Sequence, residues 1–158
     1  MNLSSTNFLR AAVFVIGVTV LLLCIFLLPF IAKDASDSEY APLLYPVLIG
    51  MYAAALPFFV ALYQALKLLS LIDRNDAFSE SSVGALRVIK FCAVTISAIY
   101  MGMMPFFYFI GEKDDAPGVI VIGLVIIFAS LVIAVFTAVL QKLLKNAIDI
   151  KSENELTV

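Results

Sequence analysis

The sequence contains no histidine, which removes the commonest metal ligand and the commonest general base near neutral pH. It has only two cysteines, Cys24 and Cys92, each alone in an apolar run and with no CxxC pair. That argues against a four-helix thiol-oxidising enzyme. The topology below puts the two at depths more than about 10 Å apart at 1.5 Å of rise per residue. A disulfide needs Cα atoms within roughly 7 Å, so both read as separate core cysteines. Charge is scarce as well: 14% of residues are charged and 63% hydrophobic, against about a quarter and a half in soluble domains. A soluble fold of 158 residues could not hide that much apolar surface. A net charge of −2 gives no basic face for nucleic acid. Walker, GxGxxG, GxSxG and HExxH motifs are missing. The apolar runs carry no Asp, Glu, Lys or Arg in their middles, whereas pumps and transporters usually keep one at membrane depth. The small drug exporters use an embedded glutamate, and none stands here.

What is there is four long apolar runs. Ala11 to Ala32 has 22 residues without a charge, enough for a hydrocarbon core of about 30 Å, which takes about 20. A signal peptide would have a shorter apolar core and small residues at −3 and −1 of its cleavage site. Cleavage after Ala32 or Ala35 would put Phe30 or Lys33 at −3, so the run reads as a retained helix. Pro42 or Pro46 opens a second helix, where a first-turn proline costs little; Pro57 falls inside it and should kink it. Ser79 is placed to cap a third helix, with Glu80 well set against the dipole and Pro105 near its far end. Pro117 opens a fourth, apolar from Gly118 to Leu140 and amphipathic beyond. The expected fold class is all-α: a polytopic membrane protein, a four-transmembrane-helix bundle made of two helical hairpins. One domain is expected over 1–158, with helices at about 9–32, 43–72, 80–110 and 117–148.

Orientation follows from the Lys and Arg residues near the helix ends. Arg10, Lys67, Arg74, Arg87, Lys90, Lys142, Lys145 and Lys151 fall on one side, and Lys33 and Lys113 on the other. This places both termini and the central stretch Lys67 to Lys90 in the cytoplasm, and the acidic loops Lys33–Ala41 and Gly111–Ala116 outside. Asp34, Asp37 and Glu39 lack the spacing of a calcium loop. A weak parallel repeat joins Ala41-Pro42 to Ala116-Pro117 and Lys67-Leu68-Leu69 to Lys142-Leu143-Leu144, each 75 residues apart; duplication and coincidence both account for it.

Within the spans, Thr19, Tyr52, Tyr63, Gln64, Thr95, Ser97, Tyr100, Tyr108, Ser130 and Thr137 are polar. Ser and Thr commonly bond their own helix backbone or join helices, and tyrosines suit the interface belts. Gly50 with Ala54, and Gly118 with Gly123, let backbones approach closely, for packing within the bundle or for dimerisation. Met101, Met103 and Met104 read as adaptable filler. The residues point to no catalytic group, no cofactor and no metal site.

Two segments carry a resemblance. Ile72-Asp-Arg-Asn-Asp-Ala-Phe-Ser-Glu80, followed by Leu86-Arg-Val-Ile89, resembles the central signature of the DUF2975 family. Ala147 to Val158, ending Lys151-Ser-Glu-Asn-Glu-Leu-Thr-Val158, looks like that family's closing motif K-x-E-N-D/E-L-T-V/I. Ser152 departs from it, since an acidic residue is common there. The resemblance covers essentially the whole chain and implies a small bacterial four-helix membrane protein of no established activity. Genes of this family often lie beside one for a small Cro/C1-type helix-turn-helix regulator. The resemblance therefore implies a non-enzymatic membrane partner that binds or sequesters such a regulator, without direct nucleic-acid binding. The alternative is a small-molecule or ion carrier, with a polar cavity around Tyr52, Gln64 or Tyr100. The expected partner interface is Phe78, Ser79, Arg87, Lys151, Asn154, Glu155 and Leu156, with the tail docked near the turn and Arg87 or Lys90 as ionic partners. Phe78 either tucks under the helix ends as a staple or offers an anchor to a partner.

Overall fold

A computed structural model of the protein describes residues 3–35, 41–113 and 115–157. Most of the first acidic loop, including Asp37 and Glu39, lies outside them. The first span is α1 (Leu3–Leu22), one π-helical turn (Leu23–Leu27) and α2 (Leu28–Ala35). The second, third and fourth are α3 (Ala41–Asp73), α4 (Glu80–Lys113) and α5 (Gly118–Thr157). Each of the four is long and apolar enough to cross a membrane. The protein is an all-α membrane protein of two helical hairpins. Leu3, Thr157 and the α3–α4 turn share one end, called here the turn end.

Two helices run further than the apolar pattern suggested. α1 begins at Leu3, inside the polar lead-in, where Thr6 is fully buried. α5 continues unbroken through Lys151 and Asn154 to Thr157. No Gly or Pro follows Gly123 on that helix, and Lys, Glu and Leu are good helix formers. At 1.5 Å per residue its 40 residues reach about 60 Å, twice the hydrocarbon thickness of about 30 Å. α3 continues through Pro46 and Pro57, and α4 through Pro105.

The helices pack in chain order, with α4 pressed against both α3 and α5. The core cluster is Val47 and Ala54 of α3, Tyr100, Met103 and Phe107 of α4, and Ile127 of α5. Tyr100 and Phe107 stack with ring centroids 6.3 Å apart. Two glycines admit α4 on its two sides. An added Cβ on Gly50 would overlap Met103 Sδ, and one on Gly123 would stand 2.8 Å from Met104 Sδ and 3.2 Å from Phe107. Gly50, Gly123 and Met103 thus serve packing within the chain, whereas Gly118 is open. On α5 the residues facing α4 are Gly123, Ile127, Ser130, Ala134 and Thr137, all buried. Their spacing of four and three is the seam of a left-handed helix pair.

The first span meets α3 along a thinner line. On α1 the half-buried positions are Arg10, Val13, Gly17 and Val20, continued by Cys24 in the π turn. The π turn then shifts this seam by one residue, so that Leu28 is 5% exposed and Leu27 45%. Pro29 explains the turn: it lacks the N–H that Ile25 would receive in α register, and a single π turn absorbs the mismatch.

Candidate functional site

The turn end is built from capped helix termini. Asn75 adopts φ 58°, a left-handed conformation Asn tolerates better than most residues. Its N–H donates to Ile72 O over 3.1 Å, and the Asp76 N–H to Leu71 O over 2.8 Å. This is the paired closure of a Schellman motif. Four residues later Ser79 caps α4: its Oγ accepts from the Ser82 N–H at 3.4 Å and donates to Asp76 O at 2.8 Å. The α4–α5 loop has one such bond, with Asp115 at φ 50° and the Ala116 N–H donating to Gly111 O over 2.8 Å.

Asp73 ends α3, where a carboxylate opposes the negative end of the helix dipole. Arg10 of α1 answers it, Nη2 donating to Oδ2 over 2.9 Å. The first span is therefore tied to the turn by an ion pair across 63 residues of sequence.

Lys90 Nζ donates to Gln141 Oε1 over 3.3 Å and lies 5.0 Å over the Phe91 ring. Together with the Gly123 contact to Met104 and Phe107, this sets the antiparallel register of α4 and α5. Glu80 lies ten residues before Lys90, and Lys151 ten after Gln141, so the two come level. Arg87, Lys90, Lys142 and Lys145 form a basic band about 18 Å short of the α5 end, at 1.5 Å per residue. The residues of the expected interface then separate. Phe78, Ser79, Lys151, Asn154, Glu155 and Leu156 share the projecting tip, while Arg87 sits back in the band. Lys90 is engaged by Gln141 rather than by the tail. Ser79 is half-buried and committed to its cap. Phe78 is 57% exposed and Leu156 84%, so Phe78 is not buried as a staple would be, and α5 runs on as helix through the tail to Thr157. Ile150, which the sequence did not single out, is 59% exposed at the same level. A seven-residue step from Leu143, also exposed, is the sequence signal that marks this second apolar line on α5.

At membrane depth several polar groups bond backbone carbonyls of the chain. Thr19, Thr95 and Thr137 donate to Val15, Phe91 and Ile133 carbonyls at 2.8, 2.8 and 2.7 Å. Tyr52 Oη donates to Cys24 O over 2.6 Å. The π register, in which the Leu28 N–H goes to Leu23 O, leaves that carbonyl facing Pro29, which has no donor. Tyr52 fills the gap, a role readable only once the π turn is known. Tyr100 is buried in the apolar cluster. The buried Ser97 Oγ has no partner among the described residues. Tyr52 is thus spent on the Cys24 carbonyl and Tyr100 on the apolar cluster. Both cysteines are free, and among the described residues no three His, Cys, Asp or Glu side chains come together.

Comparison with known proteins agrees with this plan. The chain is 61% identical over 160 residues to an uncharacterized membrane protein, YoaS, of Bacillus subtilis (strain 168), covering all of both chains. No solved structure matches it. Residues 28–158 match the family described as proteins of unknown function, DUF2975, and with four apolar spans, a capped turn and a helical Glu-Asn-Glu-Leu-Thr tail, the chain belongs to that family.

Proposed function

We propose that this is a non-enzymatic membrane interaction protein, its turn end in the cytoplasm, which binds or sequesters a small helix-turn-helix regulator. The excess of Lys and Arg at the turn end supports the orientation. One observation carries the functional reading: exposed Phe78, Ile150 and Leu156 lie beyond the basic band, where water rather than lipid would meet them. Exposed apolar groups grouped in water mark interaction surfaces. The charge around them favours a basic partner. Asp76, Glu80, Asp149, Glu153 and Glu155 outnumber Arg74 and Lys151, and a DNA-binding surface is basic. Complementary potential speeds encounter and suppresses wrong partners.

The test is crosslinking in intact cells followed by purification of the protein from membranes. A small basic DNA-binding protein is expected with the native chain. It should be lost with Phe78→Ala and with removal of Glu153 to Val158. Recovery of no such protein from crosslinked native membranes would sink the reading.

A further inference from the structure

Between α1 and α3 lies an open groove of about 260 Å³. At its floor the two helices approach closely at Gly17, where an added Cβ would stand 3.2 Å from Leu62 Cδ1. Its walls include Phe14, Val18 and Leu21 of α1 and Phe59, Tyr63 and Leu66 of α3. From Val13 to Leu21 it runs about 12 Å at 1.5 Å per residue. One leaflet contributes about 15 Å to the hydrocarbon core, so the groove has the depth of a single leaflet, the one at the turn end.

Both walls end in a cation. On α3, Phe59, Tyr63 and Lys67 are spaced by four residues, and on α1, Phe14 follows Arg10 by four; residues so spaced share a helix face. Lys67 is exposed, and the Arg10 guanidinium, held by Asp73, keeps donors to spare. We propose that this groove is a binding site for one anionic phospholipid of the leaflet at the turn end. An acyl chain lies between α1 and α3, and the phosphate rests against Lys67 and Arg10 with the Tyr63 hydroxyl beside it. Long basic side chains reach to headgroup level in this way. The proposal depends on neither the cytoplasmic partner nor the direction in which the protein is inserted.

The experiment is native mass spectrometry of the protein released from vesicles of equal parts phosphatidylglycerol and phosphatidylethanolamine. The native chain should retain phosphatidylglycerol preferentially. Lys67→Gln, an exposed substitution that leaves packing alone, should reduce that preference about five-fold, the effect of roughly one surface cation on an anionic lipid. Val18→Trp, which fills the groove from its lipid-facing wall, should lower retention of both lipids. Lys142→Gln, on α5 away from the groove, should behave as the native chain does. Equal retention of the two lipids by the native chain would overturn the proposal. So would a loss in Lys142→Gln matching that in Lys67→Gln, because the attraction would then belong to the basic band as a whole.

Discussion

In the second hairpin, α4 and α5 meet along Gly123, Ile127, Ser130, Ala134 and Thr137, small or slender residues that bring the helices together over their full membrane depth. In the first hairpin, α1 meets α3 along Arg10, Val13, Gly17, Val20 and Cys24, and most of its other side chains face outward. The apolar runs of the two hairpins are similar in length and character. What differs is where the small residues fall and whether a helix lies on each side. α4 inserts Met103 toward Gly50 and Phe107 toward Gly123, so it is packed from two directions. Lipid tails are as apolar as leucine, so hydrophobicity alone does not drive helices together in a membrane. A span with a single notch, Gly17 against Leu62, stays at the edge, held by a few polar ties. In this protein those ties are Arg10 to Asp73 at one end and Tyr52 to the Cys24 carbonyl toward the other.

The contrast can be broken most sharply at the phenylalanines. Phe107→Ala should destabilise the protein by about 3–5 kcal/mol, as for large-to-small changes in packed cores, whereas Phe14→Ala, 57% exposed on α1, should change little; chemical unfolding of both in the same detergent decides. Gly123→Val comes next. The added methyl groups must displace Met104 and Phe107, which should cost about 1–3 kcal/mol and lower the unfolding midpoint. Tyr52→Phe strands the Cys24 carbonyl and should cost about 0.6 to 1.7 kcal/mol, the range for hydrogen bonds between membrane helices. The same change in a Pro29→Ala background should cost nearly nothing, since alanine restores a backbone donor. A full cost in that background would mean that the tyrosine acts by packing. The smallest effect belongs to Arg10 and Asp73. The pair is partly exposed, at 32% and 17%, so a double-mutant cycle with alanine should give a coupling of about 0–1 kcal/mol that shrinks with salt.

Much of this plan is legible from residue types. Four charge-free runs mark the spans, Asp-Arg-Asn-Asp followed by Ser79 marks the turn and its cap, and Gly50 and Gly123 mark close approach. The candidate site was half legible. Phe78 stands out as a large apolar residue in a polar turn, and the tail with Leu156 is marked by its resemblance to the family's closing motif, but Ile150 is hidden because α5 does not stop where its apolar run stops. The resemblance to the central signature puts Arg87 with the turn, as an ionic partner for the tail, and the register of α4 on α5 sets it back among the basic residues. The π turn is not legible in the sequence because Pro29 stands within an unbroken apolar stretch. Its effect becomes visible only through the displaced Leu28 and the bond from Tyr52.

The sequence by itself determined the number of spans, the turns between them and the sign of charge at each end. These depend on local hydropathy, capping chemistry and the cost of placing charge in hydrocarbon, all properties of short segments. Only the tertiary structure decided that α4 is the centre, that the first span sits at the edge with a lipid-depth groove beside it, and that Arg10 reaches Asp73. Those outcomes depend on register and on which small residue meets which large one, and residues far apart in sequence settle them together.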